Sequence, residues 1–450
     1  MPRSVDRPTP HIMLRPNGET SVSDEDAVLT MGAERFECEV SVSIRFLPVP
    51  DIVFRGRFRP KDHPLSLLGL AFDSPPASLC LNSTGDSAAV SIAQLSAGDP
   101  ASFVATIMKG ILFSGVKEPT EAVQFHLINF PNFLSQEEEG AFPNSAILED
   151  AEYEVQLLAV DDDEEVFKTL KAQGGFGNTH VGIITRLDGA PVSFEGASDT
   201  LRRVHCFLSF ARGAWTGIAL PVGVDDGGEV RWREFGMRPM ERWSPRVSWL
   251  DRHNCQVLAS AYRGFSTRWA DEYWQSVLEK AIYWYLRSNN TSSGVDGGII
   301  LTQAALEYMA WTQLVEFDGT LSKEGFERLP ASDRLRLLLL RLEIPLAIPT
   351  TLEALSDVTP NAAWDGPRTF TEVRNDLVHP VRKKGRFGVA KLPYFEAWTL
   401  GQWYLELVLL RLMGFDGVYH DRTRLGGWVG EVRPVPWGTK QEVSTNRGDP

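Results

Sequence analysis

The first half of the chain has hydrophobic residues at every second position. In the segment VSVSIRF, the side chains of Val40, Val42, Ile44 and Phe46 fall on one face, which is the period of a half-buried β-strand. Six other segments are predicted as strands: DIVFRGRF, AVQFHLINF, YEVQLLAV, HVGIITRL, HCFLSFA and EVRWREF. Turn-forming clusters such as DSPPAS and LNSTGD separate many of them. Many short strands with no predicted helix between them indicate a β-sandwich or barrel.

After the segment RWSPRVSWLDRHN the hydrophobic period becomes helical. Trp274, Val277, Ala281 and Trp284 follow the spacing i, i+3, i+7 and i+10, and the sequence NNTSSG marks the end of this first helix. Four more helices are predicted, over residues 297–317, 331–345, 367–380 and 394–415. Five helices with short connections predict an antiparallel bundle.

The chain is therefore predicted to be an α+β protein of two domains. They are a β-rich sandwich- or barrel-like domain over residues 1–250 and an all-α bundle over 251–430, with a polar tail over 431–450. Charge follows the same division. Of 45 basic and 59 acidic residues, 23 and 24 lie from Asp251 onward, which leaves 22 and 35 before it. A strongly acidic front domain repels nucleic acid, so a nucleic-acid partner is expected to contact the rear domain.

Composition excludes several other classes of protein. With 43% hydrophobic and 23% charged residues, the 450-residue chain is typical of soluble globular proteins. No apolar run reaches the roughly 18 residues that span a bilayer, so no membrane partner is expected. The first ten residues, MPRSVDRPTP, lack the apolar core of a secretory signal. Four widely spaced cysteines form no CxxC pair, which favours a reducing cytoplasm over a disulfide framework or a zinc site.

The segment RNDLVHP, in the fourth predicted helix, carries the candidate chemistry. Asn375 and His379 are four residues apart and share a helix face, whereas Arg374 lies about 140° round the helix from His379. Pro380 disfavours helical geometry at His379, so the helix is predicted to end there. A long arginine side chain can then converge with the imidazole. Two other pairs have similar spacing, Arg57 with His63 and Arg246 with His253, but neither lies on a predicted bundle helix.

A basic run follows the motif directly. No acidic residue occurs between His379 and Lys391, and four of the intervening residues are basic: Arg382, Lys383, Lys384 and Arg386. Beside an active site these four side chains would bind RNA phosphates. A solvated surface loop is the alternative interpretation of the same pattern.

The sequence RNDLVHP resembles the RNxxxH signature of HEPN domains, many of which are metal-independent ribonucleases. The segments AIYWYLRSNN, IILTQAALEYMAW and YLELVLLRLMGFDGVYHDR are similar to helices of HEPN proteins of the anti-phage ApeA type. The resemblance covers roughly residues 255–425; before that it is limited to phrases such as CFLSFARGAW. It implies a HEPN-like bundle, a homodimer in which two Arg–His sets face one cleft, and an abortive-infection effector or toxin. It also implies that a phage-derived or small-molecule trigger acts on the front domain.

Cleavage of RNA without a metal ion fits these residue types. RNA supplies its own nucleophile, the 2′-hydroxyl, so the enzyme has to transfer protons and stabilise charge on the phosphate. Histidine, with an ordinary pKa of about 6.5, is suited to be the general acid or base, which assigns His379. Arginine binds phosphate oxygens through two parallel hydrogen bonds, which assigns Arg374, and Asn375 would orient the reacting group. RNA, including transfer RNA, is the predicted substrate, with no metal and no cofactor.

Other interpretations remain open at this stage. The Arg374–His379 group is also compatible with an ordinary helix C-terminus, in which the histidine interacts with the helix dipole. The bundle would then be a non-catalytic binding or dimerisation module beside a ligand-binding β domain, and a metal-dependent hydrolase using acids of the front half is a further alternative. His420 is another candidate proton donor. Five tryptophans are expected to be core residues rather than base-stacking platforms: Trp274, Trp284, Trp311, Trp398 and Trp403.

Overall fold

A closed six-stranded β-barrel forms the first part of the chain. In this computed structural model the strands are antiparallel in the order β1–β2–β3–β6–β5–β4, and β4 pairs with β1. They are β1 Glu19–Met31, β2 Glu34–Arg45, β3 Asp51–Phe58, β4 Ala77–Leu81, β5 Ser87–Ser96 and β6 Ser102–Lys109. Val40, Val42 and Ile44 are fully buried in the core, as their alternation predicts. Gly56 leaves room for the Phe103 ring, which would lie 2.0 Å from a Cβ atom at this position.

A seven-stranded antiparallel sheet follows the barrel, with the strand order β7–β13–β12–β8–β11–β10–β9. Its strands are β7 Leu112–Gly115, β8 Ala122–Ile128, β9 Ser145–Glu149, β10 Tyr153–Ala159, β11 Asn178–Arg186, β12 Gly217–Val224 and β13 Val230–Phe235. Two helices interrupt the strands, α1 Asp163–Gln173 and α2 Phe194–Arg212. The structure describes residues 9–59, 75–81, 85–96, 98, 100–133, 145–161, 163–251, 255–360, 363–379, 387, 392–424 and 431–438, and all element numbers refer to these.

The prediction of a strand at HCFLSFA was wrong, because this segment lies inside α2. Val204, Phe207, Leu208 and Phe210 are all fully buried. A helix that is covered on every side has a continuous apolar sequence, and over seven residues that sequence has the same appearance as a buried strand. The front half therefore contains long helical segments between strands, which the sequence pattern did not reveal.

The chain divides into two compact units. The first comprises residues 1–208 and 215–245, and the second comprises residues 209–214 and 246–450. The β-rich front and helical rear are thus as predicted at this coarse level. The second domain was predicted to begin at residue 251, five residues beyond the start of the second unit's main segment at residue 246. The last turn of α2 is grouped with that unit.

Helices make up most of the second unit. They are α3 Cys255–Trp269, α4 Glu272–Ser288, α5 Val295–Trp311, α6 Lys323–Arg328, α7 Ala331–Arg341, α8 Glu353–Val358, α9 Gly366–Val378 and α10 Tyr394–Leu412. A π-helical turn, Thr312–Phe317, continues α5. The five predicted helices correspond to α4, α5, α7, α9 and α10. No helix in the described part of the chain combines the length and apolar character that a membrane span requires.

Part of the predicted polar tail belongs to the second unit. Strand β15, Arg433–Pro434, pairs with β14, Val418–Tyr419, and the indole of Trp437 donates a hydrogen bond to the carbonyl of Phe415 over 2.7 Å. Val435 is buried. The remaining residues of the predicted tail, 439–450, lie outside the described residues.

Two glycines bring α5 and α10 close together. A Cβ atom on Gly298 would lie 2.8 Å from the carbonyl oxygen of Ser288 and 2.8 Å from the indole ring of Trp398. A Cβ atom on Gly401 would lie 2.5 Å from the ring of Phe370 on α9. The packing of α5 against α10, and of α10 against α9, therefore depends on the absence of side chains at these two positions.

Replacing Gly298 with alanine should lower the free energy of unfolding by roughly 1–3 kcal/mol, because the added methyl group overfills a packed contact. The neighbouring residue provides a matched control. A Cβ atom on Gly297 meets no atom within 4 Å, so Gly297→Ala should stabilise the helix by about 0.5–1 kcal/mol. Urea denaturation of both variants measures the difference, and equal stabilities would contradict the described packing.

Candidate functional site

The start of α9 is fixed by one carboxylate. Asp365 is the N-cap and accepts a hydrogen bond from the backbone N–H of Arg368 over 3.0 Å. Its two carboxylate oxygens also accept hydrogen bonds from Arg336 on α7, at 2.6 and 3.0 Å. Pro367 follows in the first turn, where its missing N–H costs nothing. These hydrogen bonds therefore fix the start of α9 against α7.

The buried face of α9 determines which residues remain accessible. Phe370 and Val373 are fully buried, so Arg374 and Asn375 are left half-buried at the border of the core. The helix ends at His379, as predicted. His379 is the C-cap, is exposed, and donates its backbone N–H to the carbonyl of Asn375 over 2.9 Å. The three predicted catalytic residues thus share the last turns of one helix.

The Arg374 guanidinium is only weakly satisfied. Its Nη1 lies 3.4 Å from the Oδ1 atom of Asn375, which is a long hydrogen bond. Its Nε atom is buried and has no hydrogen-bond partner among the described residues. No described carboxylate is paired with it, and no hydrogen bond joins it to the His379 ring within the described part of the chain. The guanidinium consequently retains donors for an anionic ligand.

The predicted RNA-binding residues Arg382, Lys383, Lys384 and Arg386 lie outside the described residues. The chain beyond them is described again at Phe387, which is buried, with its ring centre 5.6 Å from that of Trp364 in an edge-on arrangement. Trp364 immediately precedes α9, and the guanidinium of Arg368 lies 4.6 Å from its ring centre. Phe387 is therefore held near the beginning of α9.

His420, the other candidate proton donor, is bound to a different segment of the second unit. Its Nδ1 atom lies 3.1 Å from the carbonyl oxygen of Ser248, and its backbone N–H donates to the carbonyl of Trp249 over 2.8 Å. In the described part of the chain no hydrogen bond joins it to Arg374 or His379. These hydrogen bonds are those of a residue that anchors a chain segment.

Sequence reasoning missed a buried charge network in the same unit. The guanidinium of Arg422 donates to both carboxylate oxygens of Glu406, at 2.8 and 2.5 Å, and neither side chain is more than 2% exposed. Tyr285 donates its hydroxyl to Glu406 over 2.6 Å, and Asn289 accepts from Arg422 at 3.1 Å. Burial and the adjacent Glu406 charge raise the pKa of Tyr285 well above its ordinary value. The network joins α4, α10 and the segment after α10.

One sequence feature pointed to this network. Glu406 interrupts the apolar run WYLELVLLRLMGF, and a carboxylate within an otherwise apolar helix needs a buried partner. The identity of that partner was not predictable, because Arg422 follows after the helix has ended.

The first unit contains a cavity of about 740 Å³, a size typical of small-molecule sites. Its wall includes the N-terminal segment 13–16, residues of β1 and α1, and the buried Asn178. Hydrogen bonds hold the chain on both sides of segment 13–16. His11 donates its backbone N–H to the Gln124 side chain over 2.9 Å, and Asn17 donates its backbone N–H to the carbonyl of Phe176 over 2.8 Å.

Several histidines of this unit are buried. The ring centres of His11 and His126 are 4.6 Å apart. Burial, together with the charge of Arg233, lowers the pKa of His11 to about 4, and burial lowers that of His180 to about 3. The pKa of His205 is likewise about 4, chiefly through burial. The folded state therefore favours neutral imidazoles at these positions.

Acidification should destabilise the first unit between about pH 6.5 and pH 4. Unfolded histidines take up protons below their ordinary pKa of about 6.5, whereas the folded ones resist until the pH reaches their lowered values. Each buried histidine should therefore remove roughly 2 kcal/mol of stability between pH 7 and pH 5. Chemical denaturation across this pH range measures the free energy of unfolding. For His180→Phe this free energy should depend less steeply on pH than for the wild type. The exposed His379→Gln is the control and should not change the profile; a flat wild-type profile would contradict the prediction.

Two known protein families match most of the chain outside the barrel strands. Residues 115–246 match the family described as the YopA central domain, and residues 271–434 match the YopA C-terminal domain. The SPbeta prophage-derived uncharacterized protein YopA of Bacillus subtilis (strain 168) is 27% identical over 412 residues, which cover 90% of this chain and 92% of that protein. This chain is similar to YopA. No solved structure matches it.

The matched ranges correspond to structural elements. The YopA central-domain match contains β8 to β13 with α1 and α2, and it ends at residue 246, where the main segment of the second unit begins. The YopA C-terminal match begins at Asp271, the N-cap of α4, and it contains Arg374, Asn375 and His379. Neither description names an activity.

Proposed function

We propose that this chain is a metal-independent RNA endonuclease whose active site is built around Arg374, Asn375 and His379 on a HEPN-like bundle. The observation that carries the proposal is the state of the Arg374 side chain. Its guanidinium is half-buried, has an unpartnered Nε donor and has no described carboxylate as a partner. A half-buried guanidinium with a buried, unpaired N–H donor is suited to bind an anion, and a phosphate group would satisfy it.

The accessible positions of the other two residues support the same chemistry. His379 is exposed at the end of α9, where it can accept or donate a proton at a bound nucleotide. Asn375 contacts the guanidinium and presents an amide at the same helix end. A substrate phosphate placed between Arg374 and His379 would bring all three side chains to one reacting centre.

The reaction divides into two proton transfers and one displacement. A base removes the 2′-hydroxyl proton, and the 2′-oxygen attacks phosphorus as the bond to the 5′-oxygen breaks. An acid then protonates the 5′-oxygen, so the products carry a 2′,3′-cyclic phosphate and a 5′-hydroxyl. Arg374 donates hydrogen bonds to the non-bridging oxygens, where negative charge grows in the transition state. The reaction requires RNA, because DNA has no 2′-hydroxyl.

One histidine per chain serves poorly as both acid and base of a single displacement. His420 is held by Ser248 and Trp249, and no hydrogen bond joins it to Arg374 or His379 in the described part of the chain. We assign the second role to His379 of another copy of the chain, which makes a homodimer part of the mechanism.

We extend the proposal to a biological role as a toxin or abortive-infection effector. The observation in its favour is that the similar protein of Bacillus subtilis is described as prophage-derived. The 740 Å³ cavity of the first unit is the site at which a small-molecule or phage-derived trigger would bind.

The direct test is incubation of the purified full chain with single-stranded RNA and transfer RNA in excess EDTA. Cleavage that leaves 2′,3′-cyclic phosphate ends supports the proposal. Cleavage that appears only when divalent ions are returned supports a metal-dependent hydrolase. RNA that is bound but never cut, with or without candidate triggers, supports the non-catalytic binding module.

A further inference from the structure

One exposed face of α4 combines aromatic and basic side chains. Tyr273, Lys280 and Arg287 are separated by seven residues each, so they lie nearly in line along the helix at intervals of about 10 Å. Tyr273 is 46% exposed, and Tyr283 beside this line is 45% exposed. Trp284 is half-buried on the other side of the line. We call these residues, together with Tyr308 of α5, the α4 face.

The cations of the α4 face are placed against aromatic rings. The Lys280 ammonium lies 5.2 Å from the ring centre of Trp284 and 5.1 Å from that of Tyr308. The Arg287 guanidinium lies 5.9 Å from the ring centre of Tyr283. Trp284 and Tyr308 meet edge to face, with ring centres 5.4 Å apart. The rings are therefore held in defined orientations while part of their surface remains open to solvent.

Lys280 and Arg287 give the α4 face two positive charges. The nearest acidic residues of this helix, Glu272 and Glu279, lie about 80–100° round the helix axis from Lys280, on the side of Tyr283. Glu279 is half-buried and has interactions of its own. In a chain with a net charge of −14, a surface with two exposed cations, two exposed tyrosines and the half-buried Trp284 and Tyr308 stands out.

Core packing accounts for three of the five tryptophans predicted as core residues. Trp274, Trp398 and Trp403 are at most 7% exposed. Trp284 and Trp311 are only half-buried, and Trp311 packs edge to face on Phe326 and donates its indole N–H to Glu316. Exposed aromatic surface costs free energy unless a ligand covers it, and tyrosine and tryptophan rings beside cations are the usual platform for unpaired bases. The rings stack on bases while lysine and arginine bind the phosphates between them.

We propose that the α4 face binds single-stranded RNA by stacking unpaired bases on its rings and pairing phosphates with Lys280 and Arg287. This inference deepens the proposed function and rests on it for the choice of RNA as the ligand. It assigns the substrate class as unpaired RNA, and it places recognition on the same unit as Arg374 and His379.

Fluorescence anisotropy of a labelled single-stranded RNA of about 12 nucleotides tests the inference. The protein is the full chain carrying His379→Ala, so that RNA remains intact. Adding Lys280→Gln with Arg287→Gln should weaken binding at least tenfold at moderate salt. It should also reduce the slope of log K against log salt by about 1.4, since each lost phosphate contact contributes roughly 0.7. Tyr283→Leu should weaken binding about tenfold through lost stacking, and a duplex of the same length should bind more weakly than the single strand.

The matched control is Lys323→Gln with Arg328→Gln, which removes the same charge from exposed positions of α6. This variant should bind RNA as the parent protein does. Equal affinities for the α4-face variants and the control would overturn the inference, and so would the absence of RNA binding by the parent protein. Light scattering measures the molar mass of each variant in solution. If the α4-face variants have a lower molar mass as well as a lower RNA affinity, the face is a contact between copies of the chain and the inference fails.

The assay separates this inference from the proposed activity. If wild-type protein binds RNA through the α4 face but does not cut it, the inference is supported and the proposed nuclease activity is refuted. If wild type and the α4-face variants cut RNA equally well, the nuclease activity is supported and the inference about the α4 face is refuted.

Discussion

Replacing His379 with alanine should reduce RNA cleavage by roughly 10²–10⁴-fold, the contribution of a positioned proton donor or acceptor. Because His379 is exposed and its ring has no hydrogen bond among the described residues, the loss should appear in the rate and not in protein stability. If His379 transfers the proton, the wild-type rate should depend on pH. The variant should lack this dependence.

Arg374 provides the complementary test. Arg374→Ala should reduce cleavage by a similar factor, because it removes the donors for the developing phosphate charge. Arg374→Lys keeps the charge but loses the two parallel donors, so it should recover only part of the rate. His420→Ala is the control for loss of a histidine and should keep the wild-type rate. Undiminished cleavage by both Arg374→Ala and His379→Ala would refute the proposed site.

Breaking the buried network should have the largest effect on stability. Arg422→Met leaves the Glu406 carboxylate in the core without its cation, which should cost about 3–5 kcal/mol in the free energy of unfolding. Glu406→Gln should cost a similar amount, because the Arg422 guanidinium then lacks its counter-charge. Chemical denaturation of the second unit within the full chain, followed by tryptophan fluorescence, measures both.

A surface ion pair that also involves α10 supplies the control. Arg411 of α10 contacts Glu343 at 2.5 Å, but these side chains are 31% and 64% exposed. Arg411→Met should therefore cost less than about 1 kcal/mol. Replacing Arg422 and Glu406 together with Met and Leu should recover part of the loss, since no unpaired charge remains. If Arg422→Met were no more harmful than Arg411→Met, the buried network would not stabilise the fold.

Predictions from local pattern succeeded where the pattern is itself the physical cause. The alternation of Val40, Val42 and Ile44 requires a strand with one buried face, and that strand is β2. The end of α9 at His379 follows from Pro380, whose ring excludes helical geometry from the preceding residue. The stop at Asn289 and Asn290 similarly places the end of α4. These features depend on residues close together in the chain.

Pattern failed where burial is complete or partners are distant. Segment 205–211 was misread because a fully buried helix has no polar face to reveal its period. The pairing of β1 with β4 that closes the barrel joins strands with two others between them in the chain, and no local signal encodes it. In the same way, the partner of Glu406 lies beyond the end of α10.

The amino-acid sequence by itself determined the division into a β-rich front and a helical rear, and the helix that carries Arg374, Asn375 and His379, because hydrophobic period and helix-ending residues act over a few positions. Only the tertiary structure decided that the Arg374 Nε atom is buried without a described partner, that Glu406 and Arg422 form a pair in the core, and that Trp284 remains accessible on the α4 face. The reason is that burial and charge pairing depend on which distant segments pack against a residue, and that packing is a property of the whole fold.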